Sequence, residues 1–264
     1  MSLEEIINRQ GIIISAPASG AGKTTVTLGL INAFARKGSV QPFKSGPDYI
    51  DSKFQSVAAD RPSYNLDTWA MSSSDILNMI GMVGPSDICI AEGSMGLFDG
   101  VISKGAGGNG STADLASITN WPVILVVDCA KQAQSVAALV TGFNSFRHDI
   151  TIGGVILNNI SSKRHEALVV SEVSKTKVPI LGVIPRSNEI TIPERHLGLV
   201  QAEDLSDLEQ LIFKLGTLIE ENCDLEAIAY TARNSFPTIS TLQKITPPAQ
   251  RIAIARDNAF TFTY

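Results

Sequence analysis

Histidine, cysteine and basic clusters are all scarce in this sequence. Its three histidines, His148, His165 and His196, stand far apart, without the spacing that would hold a metal. The three cysteines, Cys89, Cys129 and Cys223, show no metal-type spacing either. Cys89 and Cys129 lie in or beside apolar runs, so they read as buried thiols in a reduced, cytosolic compartment. No apolar run is long enough to span a membrane, and MSLEEIINRQ is too polar and acidic for a signal peptide. A net charge of −5 without a basic block argues against nucleic acid or an anionic membrane as partner. No internal repeat is visible.

What the chain does have is apolar content: 44% of its 264 residues are hydrophobic, enough for a sizeable core. At roughly 100–200 residues per domain, that length predicts one large domain, or one and part of another. Short β-branched runs at Gly11–Ser15, Val40–Lys44, Asp87–Ala91, Val123–Asp128, Gly153–Leu157 and Pro179–Ile184 predict strands. Helical patterns fall at Lys23–Lys37, Ser74–Gly81, Thr112–Thr119, Gln134–Phe146, Lys163–Thr176 and Leu205–Glu221. Most of the strands are continuously apolar rather than alternating, as in a parallel sheet buried on both faces. The alternation predicts a doubly wound α/β fold with a mostly parallel sheet, its ligands beyond the carboxyl ends of the strands. Residues 1–234 form the expected domain. The Pro/Ser/Thr-rich stretch 235–250 reads as a linker, and 251–264 as the start of another strand.

Directly after the first strand comes SAPASGAGKTTVTLG, residues 15–29. A phosphate-binding loop needs glycines that let backbone N–H groups approach oxygens, a lysine for the outer phosphates and a hydroxyl for Mg²⁺. Gly20, Gly22, Lys23 and Thr24 supply these, with Ala21 and Thr25 between and beside them, and the helix from Lys23 adds its N-terminal dipole. Pro17 stands where G-x-x-x-x-G-K-[ST] has its first glycine. The cradle survives this departure, because proline lacks only its own N–H. A nucleotide site is therefore expected here.

PFKSGPDYID, residues 42–51, follows the second strand and belongs at the same sheet edge. It offers Lys44, Asp48 and Asp51 beside the Gly46-Pro47 turn, either as Mg²⁺ and phosphate ligands or as aspartates capping a helix. DICIAEGSMGLFDG, residues 87–100, is an apolar strand ending at Glu92, with Asp99 beyond. A carboxylate ending a strand beside the phosphate-loop strand is placed either for Mg²⁺ or to cap the next segment, and Asp99 either faces substrate or forms a turn with Gly100. KGAGGNGSTADLAS, residues 104–117, reads as a mobile glycine-rich loop whose free N–H groups could hold a substrate carboxylate, with Ser111 and Asp114 as a capping box. Asn158 and Asn159 follow a strand, where an amide could meet a base edge or simply form a turn. Tyr49, Asp51, Ser94, Ser111 and Thr112, from these same segments, are the candidate substrate contacts.

These segments resemble the cobyrinic acid and hydrogenobyrinic acid a,c-diamide synthases. The likeness rests on APASGAGKTTVTLGL, QPFKSGPDYID, RPSYNLDTWAM, AEGSMGLFDG, GSTADLA, WPVILVVD, GVILNNI, LGVIPR, ERHLGLV and RIAIARDNAFTFTY, in one order along nearly the whole chain. More distantly the fold looks like that of dethiobiotin synthetase. The resemblance implies an ATP- and Mg²⁺-dependent amidation of the a and c carboxylates of a corrinoid through an acyl phosphate. It implies that Lys23 holds the β/γ-phosphates and Thr24 the Mg²⁺, and that Lys44 stabilises charge during transfer. It further implies metal binding by Asp48 and Glu92, Asp99 near the reacting centre, adenine contact at Asn158 with backbone around Pro185, and closure of loop 105–114 on substrate.

The family carries a class I glutamine amidotransferase domain, which needs a nucleophilic cysteine in a G-x-C-x-G turn and a downstream histidine. No cysteine here has that context, so 251–264 is expected to be that domain's first strand. The chain should then take ammonium rather than glutamine. An amidoligase acting on nickel-sirohydrochlorin or a cell-wall acid remains an alternative, as does a partitioning-type ATPase switch, although Ala18 stands where that group carries a lysine. Cobyrinic and hydrogenobyrinic acid are not separated, and a homodimer stays open.

Overall fold

The structure, a computed structural model, describes residues 9–187, 207–233 and 246–255. Seven strands are present in it: β1 (Gly11–Ser15), β2 (Val40–Ser45), β3 (Tyr64–Leu66), β4 (Ile88–Glu92), β5 (Val123–Asp128), β6 (Ile152–Ile160) and β7 (Ile180–Pro185). They form one parallel sheet in the order β3-β2-β4-β1-β5-β6-β7. The helices are α1 (Lys23–Ala35), α2 (Asp51–Ala59), α3 (Ser73–Met82), α4 (Thr112–Thr119), α5 (Val136–Phe146), α6 (Lys163–Val173), α7 (Leu208–Asn222) and α8 (Leu225–Arg233).

Alternate residues of each apolar strand feed two separate cores. Ile12 and Ile14 of β1, with Ile124 and Val126 of β5, pack with α1, α2, α7 and α8. Ile13, with Val123, Leu125 and Val127, packs with α3, α4, α5 and α6 on the other face. Helices on both faces leave no polar side to the sheet, which is why its strands read as unbroken apolar runs. The doubly wound fold expected from the sequence is thus the fold found, a P-loop NTPase-like α/β architecture. No helix among the described residues is long and apolar enough to cross a membrane.

All six expected strands are present, two of them (β1 and β5) with the expected bounds and the others with ends shifted by at most three residues. Two elements in the middle of the chain had no counterpart in the sequence reading. Helix α2 buries Phe54 and Ala58, which continue from Ile50 at a spacing of four, one helical face. Strand β3 spans only three residues and pairs with Phe43–Ser45 alone. Because β3 does not reach Pro42, β2 is still an edge strand there, where proline is tolerated. The helix expected at Lys163–Thr176 closes as a 3₁₀ turn from Ser174, α5 starts at Val136 rather than Gln134, and α8 is additional. Residues 205 and 206 of the expected Leu205–Glu221 helix lie outside the described residues, as do linker residues 235–245 and ERHLGLV. Of the strand expected at 251–264, residues 251–255 are exposed and carry no strand pairing, and the rest lie outside the described residues.

Candidate active site

The loop between β1 and α1 is shaped by its glycines. Gly20 and Gly22 adopt φ values of 79° and 86°, a left-handed conformation that costs glycine nothing. Gly22 is also a point of close approach: a Cβ there would lie 2.3 Å from Nδ2 of Asn158. That amide donates to the Ala21 carbonyl at 2.9 Å, tying the tip of β6 to the loop. Helix α1 begins with no side-chain cap and no acidic residue in its first turn. Its first N–H groups therefore face the loop unsatisfied, with the positive end of the helix dipole behind them. The Lys23 ammonium donates to the Met95 carbonyl at 2.9 Å, so the lysine arches from α1 to the segment after β4.

Strand order brings the charged groups together. Because β4 lies between β1 and β2, Glu92 at its carboxyl end is in register with Ile14 of β1 and with Lys44 of β2. The Thr24 hydroxyl donates to Glu92 Oε1 at 2.7 Å, and Gln55 Nε2 donates to Oε2 at 2.7 Å. The Lys44 ammonium lies 3.3 Å from Glu92 Oε1, 2.8 Å from Asp51 Oδ2 and 3.8 Å from Asp48 Oδ2. Asp48 accepts the backbone N–H groups of Ile50 and Asp51, while Asn65 of β3 donates to the Gly46 and Asp48 carbonyls. Asp48 thus caps the entry to α2, as one of the two readings of these aspartates had it, and it faces Lys44 as well.

Glu92 and Lys44 are almost wholly shielded from water. Burial alone would depress the Lys44 ammonium, but Glu92, Asp51 and Asp48 outweigh it and hold its pKa above the ordinary lysine value. Burial, with Asp51 nearby, pushes the Glu92 carboxyl above the usual range against the pull of Lys44. Asp48 is raised by burial and by Asp51, and burial lowers Lys23.

Among the described residues no group of three or more His, Cys, Asp or Glu is arranged to hold a metal by itself. The oxygens present suit Mg²⁺ all the same, since Mg²⁺ takes hard oxygen ligands, usually one or two carboxylates beside phosphate and water. Thr24 Oγ1 and Glu92 Oε1, 2.7 Å apart, are close to the roughly 3 Å separation of neighbouring oxygens in an octahedron with 2.0–2.1 Å bonds.

Beside the loop runs a groove lined by Gly20, Gly22, Thr25, Asn158, Ile184 and Pro185, among others. It joins the phosphate cradle to the positions expected near adenine. A larger recess of about 450 Å³ lies beyond Pro185, between β6, β7 and the end of α7. Its walls carry Lys163 against Glu166, Glu221 and Asp224, a net negative lining that suits phosphate less well than the smaller groove does.

The other expected site residues are engaged within the protein. The Ser94 hydroxyl donates to the Ser45 carbonyl, and Thr112 Oγ1 both donates to the Ser94 carbonyl and accepts its N–H. Gly93 passes between these groups, where a Cβ would lie 2.6 Å from Thr112 Oγ1 and 3.1 Å from Ser15 Oγ. Ser111 caps α4 by accepting the Asp114 N–H. The reciprocal half of the expected capping box is absent, because Asp114 turns to the Asn109 N–H and to Arg147. Asp51 is buried on Lys44, Tyr49 packs partly buried against the α1 face, and Asp99, exposed, accepts the Gly96 N–H at 2.8 Å. The glycine-rich stretch expected to be mobile with free N–H groups is instead tied down. Ala106 and Gly107 donate to the Trp69 and Thr68 carbonyls, Val101 to Asn109 and Gly105 to Gly108.

Gln55 and Asn65 were absent from the residues singled out in the sequence. The signal for Asn65 was there: Ser63, Asn65 and Asp67 alternate with Tyr64 and Leu66, a period of two.

A family model described as the CobQ/CobB/MinD/ParA nucleotide binding domain matches residues 12–200. The hydrogenobyrinate a,c-diamide synthase of Rhodobacter capsulatus is 45% identical over 256 residues, covering 97% of this chain and 59% of that protein. The enzyme of the same name from a Sinorhizobium species is 46% identical over 258 residues, covering 96% and 58%. The chain thus spans less than two thirds of the length of these curated relatives. The MinD cell division protein of Aquifex aeolicus superposes with a TM-score of 0.47 at 17% identity, over 85% of this chain and 96% of that one, too distant to carry weight.

Proposed function

Since the chain belongs to the family of CobQ/CobB/MinD/ParA nucleotide binding domains, we propose that it is the ATP-using amidoligase part of a hydrogenobyrinate a,c-diamide synthase. The names of its relatives favour hydrogenobyrinate over cobyrinate. The observation that carries the reading is the meeting of Lys23, Thr24, Lys44 and Glu92 at the carboxyl ends of β1, β2 and β4. A triphosphate laid on the loop has its outer end beside both lysines.

In the proposed reaction a substrate carboxylate oxygen bonds to the γ-phosphorus while the bond from that phosphorus to the β–γ bridging oxygen breaks, releasing ADP. Ammonia then adds to the acyl carbon, loses a proton and expels phosphate, leaving an amide. Such transfer depends on positioning and on charge neutralisation. The loop N–H groups and Lys23 seat the phosphates. Lys44, kept protonated by its carboxylates, offsets charge that builds on the transferring group. Thr24 and Glu92 would hold Mg²⁺, with Asp48 nearby, and when bound the ion neutralises phosphate charge. Asn158, already tied to the loop, sets the distance between cradle and base groove.

The test is incubation of this chain with Mg-ATP, ammonium and hydrogenobyrinic acid carrying ¹⁸O in its side-chain carboxyls. Product with two amides and inorganic phosphate bearing ¹⁸O support the acyl-phosphate route, and Lys23→Ala should abolish both. Phosphate without label would rule that route out. ATP turnover indifferent to the corrinoid would remove the amidoligase reading.

A further inference from the structure

Glu92 has two oxygens with different duties, and something must decide which faces which way. Oε1 receives the Thr24 hydroxyl, whereas Oε2 is held by Gln55, a residue of α2 that is fully buried. Gln55 is itself oriented, because the Ser63 hydroxyl donates to its Oε1 at 2.8 Å, leaving the amide nitrogen for Glu92. The backbone N–H of Ser63 in turn donates to the Ser56 hydroxyl of α2 at 2.9 Å. A chain of polar contacts thus runs from the segment before β3, through Gln55, to the end of β4.

We propose that Gln55, set by Ser63, is a positioning residue that fixes the Glu92 carboxylate so that Oε1 alone addresses Thr24 and the metal. This rests on the Mg²⁺-nucleotide reading above. The argument is one of competition. The Lys44 ammonium is 3.3 Å from Oε1, and without a donor on Oε2 the carboxylate is free to turn both oxygens toward it. A carboxylate claimed by lysine is lost to Thr24. Gln55 blocks that turn without adding charge, which a lysine or arginine in its place would do, and a buried amide with both ends satisfied makes a rigid stop. Groups that orient a metal's ligands without touching the ion typically control affinity by about 10–100-fold.

The experiment measures the Mg²⁺ concentration that half-saturates binding of a fluorescent non-hydrolysable ATP analogue. Gln55→Met keeps the shape and removes the donor. It should raise that concentration by about 10-fold or more while reaching the wild-type plateau at high Mg²⁺. Ser63→Ala, which frees the amide to flip, should raise it in the same direction by less, and it decides the matter if Gln55→Met does not fold. A purely structural Gln55 would lower the melting temperature in metal-free buffer and leave the Mg²⁺ requirement unchanged, and that result overturns the proposal. If the wild-type chain binds no nucleotide at any Mg²⁺ concentration, the nucleotide reading itself falls, and this inference with it.

Discussion

Replacing Lys44 by methionine removes a cation that touches Asp51, Glu92 and Asp48 together. At an effective dielectric of about 20, an ion pair at 2.8 Å is worth about 6 kcal/mol and one at 3.3 Å about 5 kcal/mol before desolvation is subtracted. Desolvation of the ammonium offsets much of that in the intact site. The variant keeps its buried carboxylates and loses their counter-ion, a change that costs about 3–5 kcal/mol. For a chain of this size that lowers the melting temperature by roughly 6–20 °C. The pH dependence follows from which side can still take up protons. In the wild type the raised Lys44 pKa gives stability that is fully present below 10.5 and is lost only as pH climbs through the higher folded value. In the variant the stranded carboxyls neutralise themselves by binding protons, so its deficit shrinks as pH falls from 8 toward 5. Urea unfolding followed by tryptophan fluorescence at three pH values reads both effects. A deficit below about 1 kcal/mol at pH 7.5, the range of exposed pairs, would refute the reasoning, as would a deficit that grows toward acid. Adding Glu92→Gln to Lys44→Met should restore part of the loss.

Gly22→Ala places a methyl 2.3 Å from the Asn158 amide at a φ of 86°. It should weaken nucleotide binding by at least about 10-fold, with Asn158→Ala relieving the collision but not the left-handed strain, as titration of the fluorescent analogue would show. Gly11→Ala drives a Cβ to 2.4 Å from the Trp121 ring and should cost about 1–3 kcal/mol in urea unfolding without altering nucleotide affinity. Burial pushes Cys89 up to about 11 and Cys129 to about 12. Neither thiol should be alkylated by iodoacetamide in the native protein at pH 8, and both should be after denaturation, by mass spectrometry.

The two sources of legibility in this sequence were apolar runs and glycine. Runs such as Ile12–Ile14 and Val123–Val127 announce strands buried on both faces, and the motif from Gly20 to Thr24 announces the loop, because each signal is local. That Lys44, Asp48 and Glu92 share one edge was also readable, since each follows a strand of a parallel sheet. That β4 would lie beside β1 was part of the same expectation; what could not be read was that β4 also pairs with β2, which makes Glu92 a direct partner of Lys44 as well as of Thr24. Strand order is a long-range property with no local spacing. Gln55 was hidden for the same reason: a glutamine on a helix becomes informative only when the strand beside it ends in a carboxylate. The glycine-rich stretch from residue 104 misled because its glycines look like freedom. Gly105 is glycine because its α-carbon passes so close to the Trp69 carbonyl that a Cβ would collide with it at 2.0 Å.

Two ammoniums, Lys23 and Lys44, face three carboxylates, Asp48, Asp51 and Glu92, so the fully ionised site carries one negative charge before any ligand arrives. A bare triphosphate meets repulsion there, and a divalent cation reverses its sign. Metal and nucleotide should therefore bind synergistically, each raising affinity for the other by the same factor. Protons compete for the same oxygens. Burial holds Glu92 above its usual value of 4.5, and Asp48 is likewise raised above 3.8, so protonation begins at a pH where ordinary carboxylates are still fully charged. The Mg²⁺ concentration that half-saturates nucleotide binding should accordingly climb as pH is lowered toward 5, and should climb less in Glu92→Gln, which has no proton to take up. Titrations of the fluorescent analogue between pH 5 and 8 measure both slopes. A wild-type requirement flat across that interval would mean that Glu92 and Asp48 are not the oxygens on which the metal depends.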